Sequence, residues 1–383
     1  MKKKGEKFHL MSRRRMMKSL ATLGISGSAL EYMSHEALAK TTDNPGDEIP
    51  RLYGVRTTNR EEFLNGNASL KREPKYYTIP RDQWIRTETA FDAAKRIRKK
   101  FEDIDGIRVG VQANQSRRGN PDLEVSVSHR TVEGQSETRI TPDIDFNELE
   151  DRIPPKAKGA VGQGKHKTTR EQIPVVAKKK TLKEQAHYDS TYRPVPGGCE
   201  VVAGNAYGTI GTPAVDRTHN QQTLVTAGHV VNGGSVSSVY QPQGGSKIGS
   251  GGRGIANGTK DCGTIDLASG TSNRYKLADY YGDYKPEIVV GTLGRDRIND
   301  MASTADYLNL QGRTSGPASS YITAVDYYDI EVSYNLDGGD SGGPYYDFDG
   351  DYIYIAGIHA WGVGNNSRGN RMSVVESTLD VGV

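Results

Sequence analysis

The second half of this chain is predicted to be an all-β barrel or sandwich, and the first half a smaller α+β unit. Three observations lead there. From Tyr192 onward the sequence is a series of strand-length runs, among them "CEVVAG", "QTLVTAG", "EIVVGTLG", "YDIEVSYN" and "DYIYIAGIHAWG". They are rich in Val, Ile, Tyr and Thr and broken by Gly, Asn and Asp, with no sustained helical period. Glycine segregates, with 13 in residues 1–189 and 32 in residues 190–383. Charge segregates too. The first part holds 37 Lys and Arg against 27 Asp and Glu, a net of +10, and the second 13 against 20, a net of −7. Halves of opposite sign attract each other before any outside partner is invoked. No fixed-period repeat is visible, which disfavours a propeller or solenoid.

The elements follow in chain order. Residues 1–39 begin with a basic cluster, Ser12, Arg13, Arg14, Arg15, Met16, Met17 and Lys18, then a short apolar run "SLATLGISGSAL", then Ala37, Leu38 and Ala39 in a small-x-small cleavage pattern. This order resembles a twin-arginine signal peptide, and the apolar run falls short of the ~20 residues a spanning helix needs. Export to a secreted or extracellular location is the implied destination, without a stable membrane anchor. Residues 40–80 are polar and rich in Pro, Asn and Gly, and read as a linker. Residues 81–153 read as a small α+β domain. It contains an amphipathic helix over 87–103 capped by Thr87, strands over 106–113 and 123–130, a turn at Arg118 to Pro121, and a short helix near 145–153. Residues 154–190 are Lys-rich without a period and read as a basic, protease-accessible connector. Residues 191–383 are the β-rich domain.

Composition narrows the chemistry. No Cys/His cluster has the spacing of a metal site, so neither a metal nor another cofactor is expected. The basic residues come without a nucleic-acid recognition motif, so no nucleic-acid partner is expected. The two cysteines, Cys199 and Cys262, are an even count that permits one disulfide in an exported protein; two free buried thiols are the other possibility.

Two short stretches carry the chemistry: "LVTAGHVV" with His229, and "LDGGDSGGPYY" with Ser341. A serine hydroxyl is a poor nucleophile until a base takes its proton, and the developing oxyanion needs fixed N–H donors. Glycines around Ser341 let the backbone turn sharply and substrate approach closely. Gly339 and Ser341 N–H are the natural donor pair. The spacing Gly339-x-Ser341-x-Gly343 also fits the elbow of α/β-hydrolases, but those need an acid and then a histidine after the serine. Only 42 residues follow Ser341, and His359 is the one histidine among them. The order His229, acid, Ser341 is that of the other great class of serine hydrolases.

"TAGHV" and "GDSGGP" together resemble the signature segments of the chymotrypsin/trypsin-like serine proteases, over residues 192–383. The resemblance implies a double β-barrel with the site between barrels, a polypeptide substrate, His229 as general base, Ser341 as nucleophile, and Gly339 and Ser341 as oxyanion hole. The acid lies in "KDCGTIDL", which offers Asp261 and Asp266; the family pattern of Asp followed by small and apolar residues favours Asp261. Asp340 is expected to be buried against a cation. Asn335, six residues before the serine, is expected in the primary specificity pocket. Ala360, Trp361 and Gly362 are expected to pair with substrate as an added strand. His359 resembles the histidine of glutamyl endopeptidases, implying a preference for acidic residues, especially Glu, before the scissile bond. Many exported relatives carry a pro-region, so residues 40 to about 190 are expected to act as an intramolecular partner of a zymogen, and the chain to be monomeric. The rival reading is a catalytically inactive protease-like β-barrel that only binds.

Overall fold

The structure is a computed structural model and describes residues 48–101, 107–112, 121–130, 146–162, 167–182, 190–279, 282–334, 336, 338–363 and 366–383. The signal segment and the turn expected at 118–121, apart from residue 121, lie outside these residues.

The stretch expected as a linker is folded. Strand β1 (Glu48–Thr57), helix α1 (Arg60–Leu64) and strand β2 (Arg72–Pro80) form a hairpin, with Ile49 opposite Ile79 and Arg51 opposite Tyr77. Strand β1 alternates as a half-buried strand should, but one of its inward positions is Arg51, which hides the apolar period from the sequence. Helix α2 (Arg81–Arg98) starts right after Pro80, six residues before the expected cap. Thr87 sits mid-helix instead, its hydroxyl 3.0 Å from Ser303 Oγ. Lys95, Arg96 and Arg98 fill the last turn, where cations oppose the helix dipole. Strands β3 (Ile107–Gln112) and β4 (Asp122–Arg130) pair antiparallel, and helix α3 (Phe146–Arg152) follows, as expected.

The expected connector also holds structure: β5 (Lys156–Val161) and β6 (Thr168–Leu182) pair with each other, and β6 runs parallel to β4. Within β6, Ile173 is fully buried while Glu171 and Gln172 are exposed, so the composition of an outlying strand resembled that of a linker.

The second half is two closed barrels, as the sequence implied. Short strand β7 (Val195–Gly197) leads into the first: β8 (Glu200–Ala203), β9 (Ala206–Thr209), β10 (Thr212–Asp216), β11 (Gln221–Thr226), β12 (Val239–Gln241), β13 (Ser246–Ala256) and β14 (Asp261–Leu267). Strands β9 and β10 act as one bent strand. One end pairs with β8 and the other with β11, and the path β8–β12–β13–β14–β11 completes a six-membered ring. Its interior is Val201, Val230, Ile248, Ile265 and neighbours. Strand β15 (Asn273–Leu277) pairs with β7.

Strand β16 (Ile288–Leu293) and helix α4 (Arg295–Thr304) connect to the second barrel. That barrel contains β17 (Tyr307–Gly312), β18 (Gly316–Val325), β19 (Asp329–Val332), β20 (Pro344–Asp349), β21 (Tyr352–Val363) and β22 (Asn366–Arg371). Pairing runs β17–β18–β19–β22–β21–β20 and back to β17. Helix α5 (Met372–Leu379) and strand β23 (Val381–Gly382) return to the first barrel, where Val381 pairs with Asp216. Val225, Ile358, Met372 and Val375 share one apolar cluster, which fixes the first barrel against the second. Each such fully buried aliphatic side chain contributes about 1.5–3 kcal/mol.

The disulfide that the cysteine count permitted is absent: Cys199 and Cys262 are free, buried thiols. Cys199 faces the interior of the first barrel, whereas Cys262 belongs to the cluster between barrels. Burial pushes the Cys262 thiol up to about 12, so it stays protonated.

Candidate active site

Strand β11 ends at Thr226, and the chain turns through Ala227 and Gly228 to His229. Asp261 opens β14, next to β11 in the sheet. That adjacency brings the two side chains together. Asp261 Oδ2 is 2.7 Å from His229 Nδ1, and Asp261 Oδ1 accepts from the His229 backbone N–H at 2.8 Å. The Asp261 side chain is fully buried and that of His229 is 19% exposed. A buried carboxylate is costly unless its oxygens are hydrogen-bonded; here two bonds go to one residue and fix both the ring and its tautomer. With Nδ1 donating to Asp261, Nε2 is the nitrogen that takes up a proton. Asp266, the other candidate, is exposed near the far end of β14. The Asp261 N–H donates to Asn370 Oδ1 at 2.6 Å, so a side chain of the second barrel holds the acid of the first.

Ser341 lies in the turn before β20, nearly buried at 3% exposure. Gly339 and Gly342 have φ of +82° and +96°, conformations that residues with a Cβ rarely adopt. A Cβ on Gly342 would also sit 2.1 Å from Thr209 O and 3.1 Å from Ala227 N, two residues before His229. The nucleophile turn thus lies directly against the segment that delivers the histidine.

Both flanks of the turn are clamped. On one side Thr209 N–H donates to Ser341 O at 2.7 Å, and Thr209 Oγ1 donates to Gly339 O at 2.7 Å. On the other, Gly342 N–H donates to His359 O at 2.7 Å and His359 N–H donates to Gly343 O at 2.8 Å. With their carbonyls held, Gly339 and Ser341 N–H donate to no protein acceptor among the described residues. The buried Asp340 carboxylate accepts from Thr314 N–H at 2.7 Å, Ser315 N–H at 3.2 Å and Ser315 Oγ at 2.6 Å, in the β17–β18 turn. The expectation of a cation named none of these donors.

Of the expected pocket residues, Asn335 lies outside the described residues. His359 is 3% exposed, and its Nδ1 is 2.9 Å from the Tyr345 hydroxyl. Burial, and next the nearby His229, lower its pKa to about 3, so the ring is neutral at physiological pH. Strand β20 pairs with β21 only as far as Ile358, while β22 pairs with it through Val363. The edge of Ala360, Trp361 and Gly362 away from β22 therefore has no strand partner among the described residues. Thr209, Tyr345 and Asn370 were not anticipated; nothing in their own sequence surroundings marks them.

Residues 217–379 match the protein-family model described as Trypsin, a stretch that includes His229, Asp261 and Ser341. That stretch, somewhat under half of the chain, is similar to the trypsin family of serine protease domains. Solved structures to which the chain is similar include a glutamic acid specific serine protease described as using a novel histidine triad in substrate binding. That match has 22% identity over 49% of this chain and 100% of that one, with a TM-score of 0.39. Protease A of Thermobifida fusca matches at 19% identity over 50% of this chain and 98% of its own, with a TM-score of 0.39. A chymotrypsin of Cellulomonas bogoriensis matches at 17% identity over 49% and 97%, with a TM-score of 0.38. No curated protein matches.

Proposed function

We propose that this protein is an exported serine endopeptidase, made as a zymogen, that hydrolyses peptide bonds through an acyl-enzyme on Ser341. The observation that carries the reading is the buried Asp261 carboxylate 2.7 Å from His229 Nδ1, with the Ser341 turn packed against the same segment. His229 Nε2 takes the proton of the Ser341 hydroxyl as Oγ adds to the scissile carbonyl. The tetrahedral oxyanion accepts from Gly339 N–H and Ser341 N–H. The protonated imidazole then gives its proton to the leaving amine, the C–N bond breaks, and an ester to Ser341 remains. Water, deprotonated by His229, hydrolyses that ester and restores the hydroxyl. Asp261 stabilises the imidazolium in both steps. No cofactor enters this sequence.

Substrate pairs as a strand with the open edge of Ala360 to Gly362, as in other β-augmentation modes. A Glu side chain before the scissile bond is recognised by the neutral imidazole of His359, whose Nδ1 lies 2.9 Å from the Tyr345 hydroxyl. The N-terminal unit acts as the intramolecular partner of the protease; its strand β6 passes close to β21, the strand that carries the substrate edge. Residues 1–39 direct twin-arginine export and are removed.

The experiment is a cleavage profile of the purified protein on a peptide library, alongside Ser341→Ala. The reading expects hydrolysis with Glu enriched before the cut, and none by the variant. Hydrolysis with another residue enriched rejects the specificity alone. No hydrolysis by folded, matured wild-type protein rejects the enzyme and favours a binding module.

A further inference from the structure

We propose that residues 48–88 are a permanent part of the protease unit, bound to the second barrel whether or not the chain is cut before Tyr192. This goes beyond the catalytic reading and does not depend on it.

The first ground is the sheet. Strand β1 pairs antiparallel with β16, Gly54 opposite Leu293 and Arg56 opposite Gly291, and β16 pairs with β21. The hairpin therefore extends a sheet of the second barrel. The approach is close: a Cβ on Gly54 would lie 2.7 Å from the Tyr354 ring and 2.8 Å from Thr292 O.

The second ground is the core. Ile49, Tyr77 and Trp84 belong to the same apolar cluster as Leu308, Ile330 and Tyr345 of the second barrel. Removing the N-terminal segment would open that core instead of uncovering a finished surface.

The third ground is charge. Arg51 is wholly buried, and its guanidinium donates to both Asp300 oxygens at 3.1 Å and to Glu88 Oε1 at 2.6 Å. The Tyr77 hydroxyl also donates to Asp300. Arg72 grips Glu376 of α5 through two bonds of 2.9 and 3.0 Å, and Thr57 Oγ1 donates to Val383 O at 2.5 Å. Lys75 pairs with Asp349. Departure of the segment would strip Asp300 of its guanidinium and leave Glu376 with Arg217 at 3.9 Å, and an uncompensated buried charge such as Asp300 is strongly destabilising.

Beyond Glu88 most of the packing lies elsewhere, with Phe91 and Val161 as the side chains that still reach the barrel cluster. Ala90, Ala93, Ile97 and Phe101 pack with Val109, Val111 and Ile173 in a core that contains no residue of the barrels. Strands β3 to β6 meet the second barrel in register only at Val111 and Val325, among the described residues. The boundary between permanent and separable structure thus falls inside α2, not at the end of the basic half.

The test uses the full chain with Ser341→Ala and a site for a specific protease placed between Leu182 and Tyr192. After cutting, native size-exclusion chromatography and thermal melting are compared with the uncut chain. The proposal expects both fragments to co-elute at the mass of the uncut chain. Arg51→Met should weaken their association at least tenfold, whereas Phe101→Ala, in the separate core, changes it less than twofold. Elution of residues 190–383 alone, with the circular dichroism and Tm of the uncut chain, overturns it. So does a mass spectrum of active secreted enzyme that contains no fragment covering residues 48–88.

Discussion

His229 and Asp261 illustrate how much one carboxylate does when both of its oxygens serve one residue. Asp261 Oδ1 holds the backbone of His229 and Oδ2 holds its ring, so Asp261→Asn presents an amide where an acceptor is required and disturbs the tautomer. In the proposed enzyme kcat on a peptide substrate falls roughly 10⁴-fold, while Asp266→Asn, exposed near the far end of the same strand, leaves it within twofold of wild type, or about 0.4 kcal/mol; steady-state kinetics of both variants decides between the acids. His359 gives a second prediction. Its folded pKa of about 3 lies below the ordinary 6.5 because the buried ring is poorly solvated. The unfolded chain therefore binds a proton first, and stability is lost as pH falls below 6.5 toward 3. At pH 5 the loss is about 2 kcal/mol, measurable as the difference in denaturant unfolding between wild type and His359→Asn. His229 and Ser341 were legible in the sequence because their chemistry demands particular neighbours. Tyr345 and Asn370 were not, because each is defined by a partner 14 or 109 residues away.

Among the elements, the bent strand β9–β10 positions the nucleophile turn as much as the turn's own glycines do. Thr209 uses its N–H, its hydroxyl and its carbonyl on three segments: Ser341 and Gly339, Arg313, and Thr226. Thr209→Val keeps the shape but removes the hydroxyl. It should lower kcat about 10–100-fold with KM nearly unchanged, as expected when donors move off an oxyanion site they must meet within tenths of an ångström. A matching rise in KM would show that the strand shapes the pocket instead. Strands of the two barrels were readable because Val, Ile and Tyr alternate between turns. Strand β1 was not, since Arg51 occupies an inward position and mimics a polar linker. Strands β5 and β6 escaped notice for a related reason: of their described side chains only Ala157, Val161 and Ile173 are buried and apolar, too few to show a period.

For the whole molecule, the opposite charges of the two halves become specific buried pairs. Arg51→Met should cost about 3–5 kcal/mol by leaving Asp300 and Glu88 without their cation, seen as a lower midpoint in thermal or denaturant unfolding. Because Ile49, Trp84 and Tyr345 share one core, the hairpin and the second barrel should unfold in a single transition. The sequence predicted the β-barrel architecture of the second half, whereas the boundary drawn near residue 190 rested on composition alone. Composition marks where charge and glycine change, not where a core closes. The account rests on the barrels joining His229 of one to Ser341 of the other as a reactive pair. Its most direct test is reaction of the folded, matured protein with a fluorophosphonate, followed by mass spectrometry of the digested peptides. A single adduct on Ser341, slowed at least a hundredfold by His229→Ala, is the predicted result. No adduct on Ser341, or one formed equally fast without the imidazole, would contradict it.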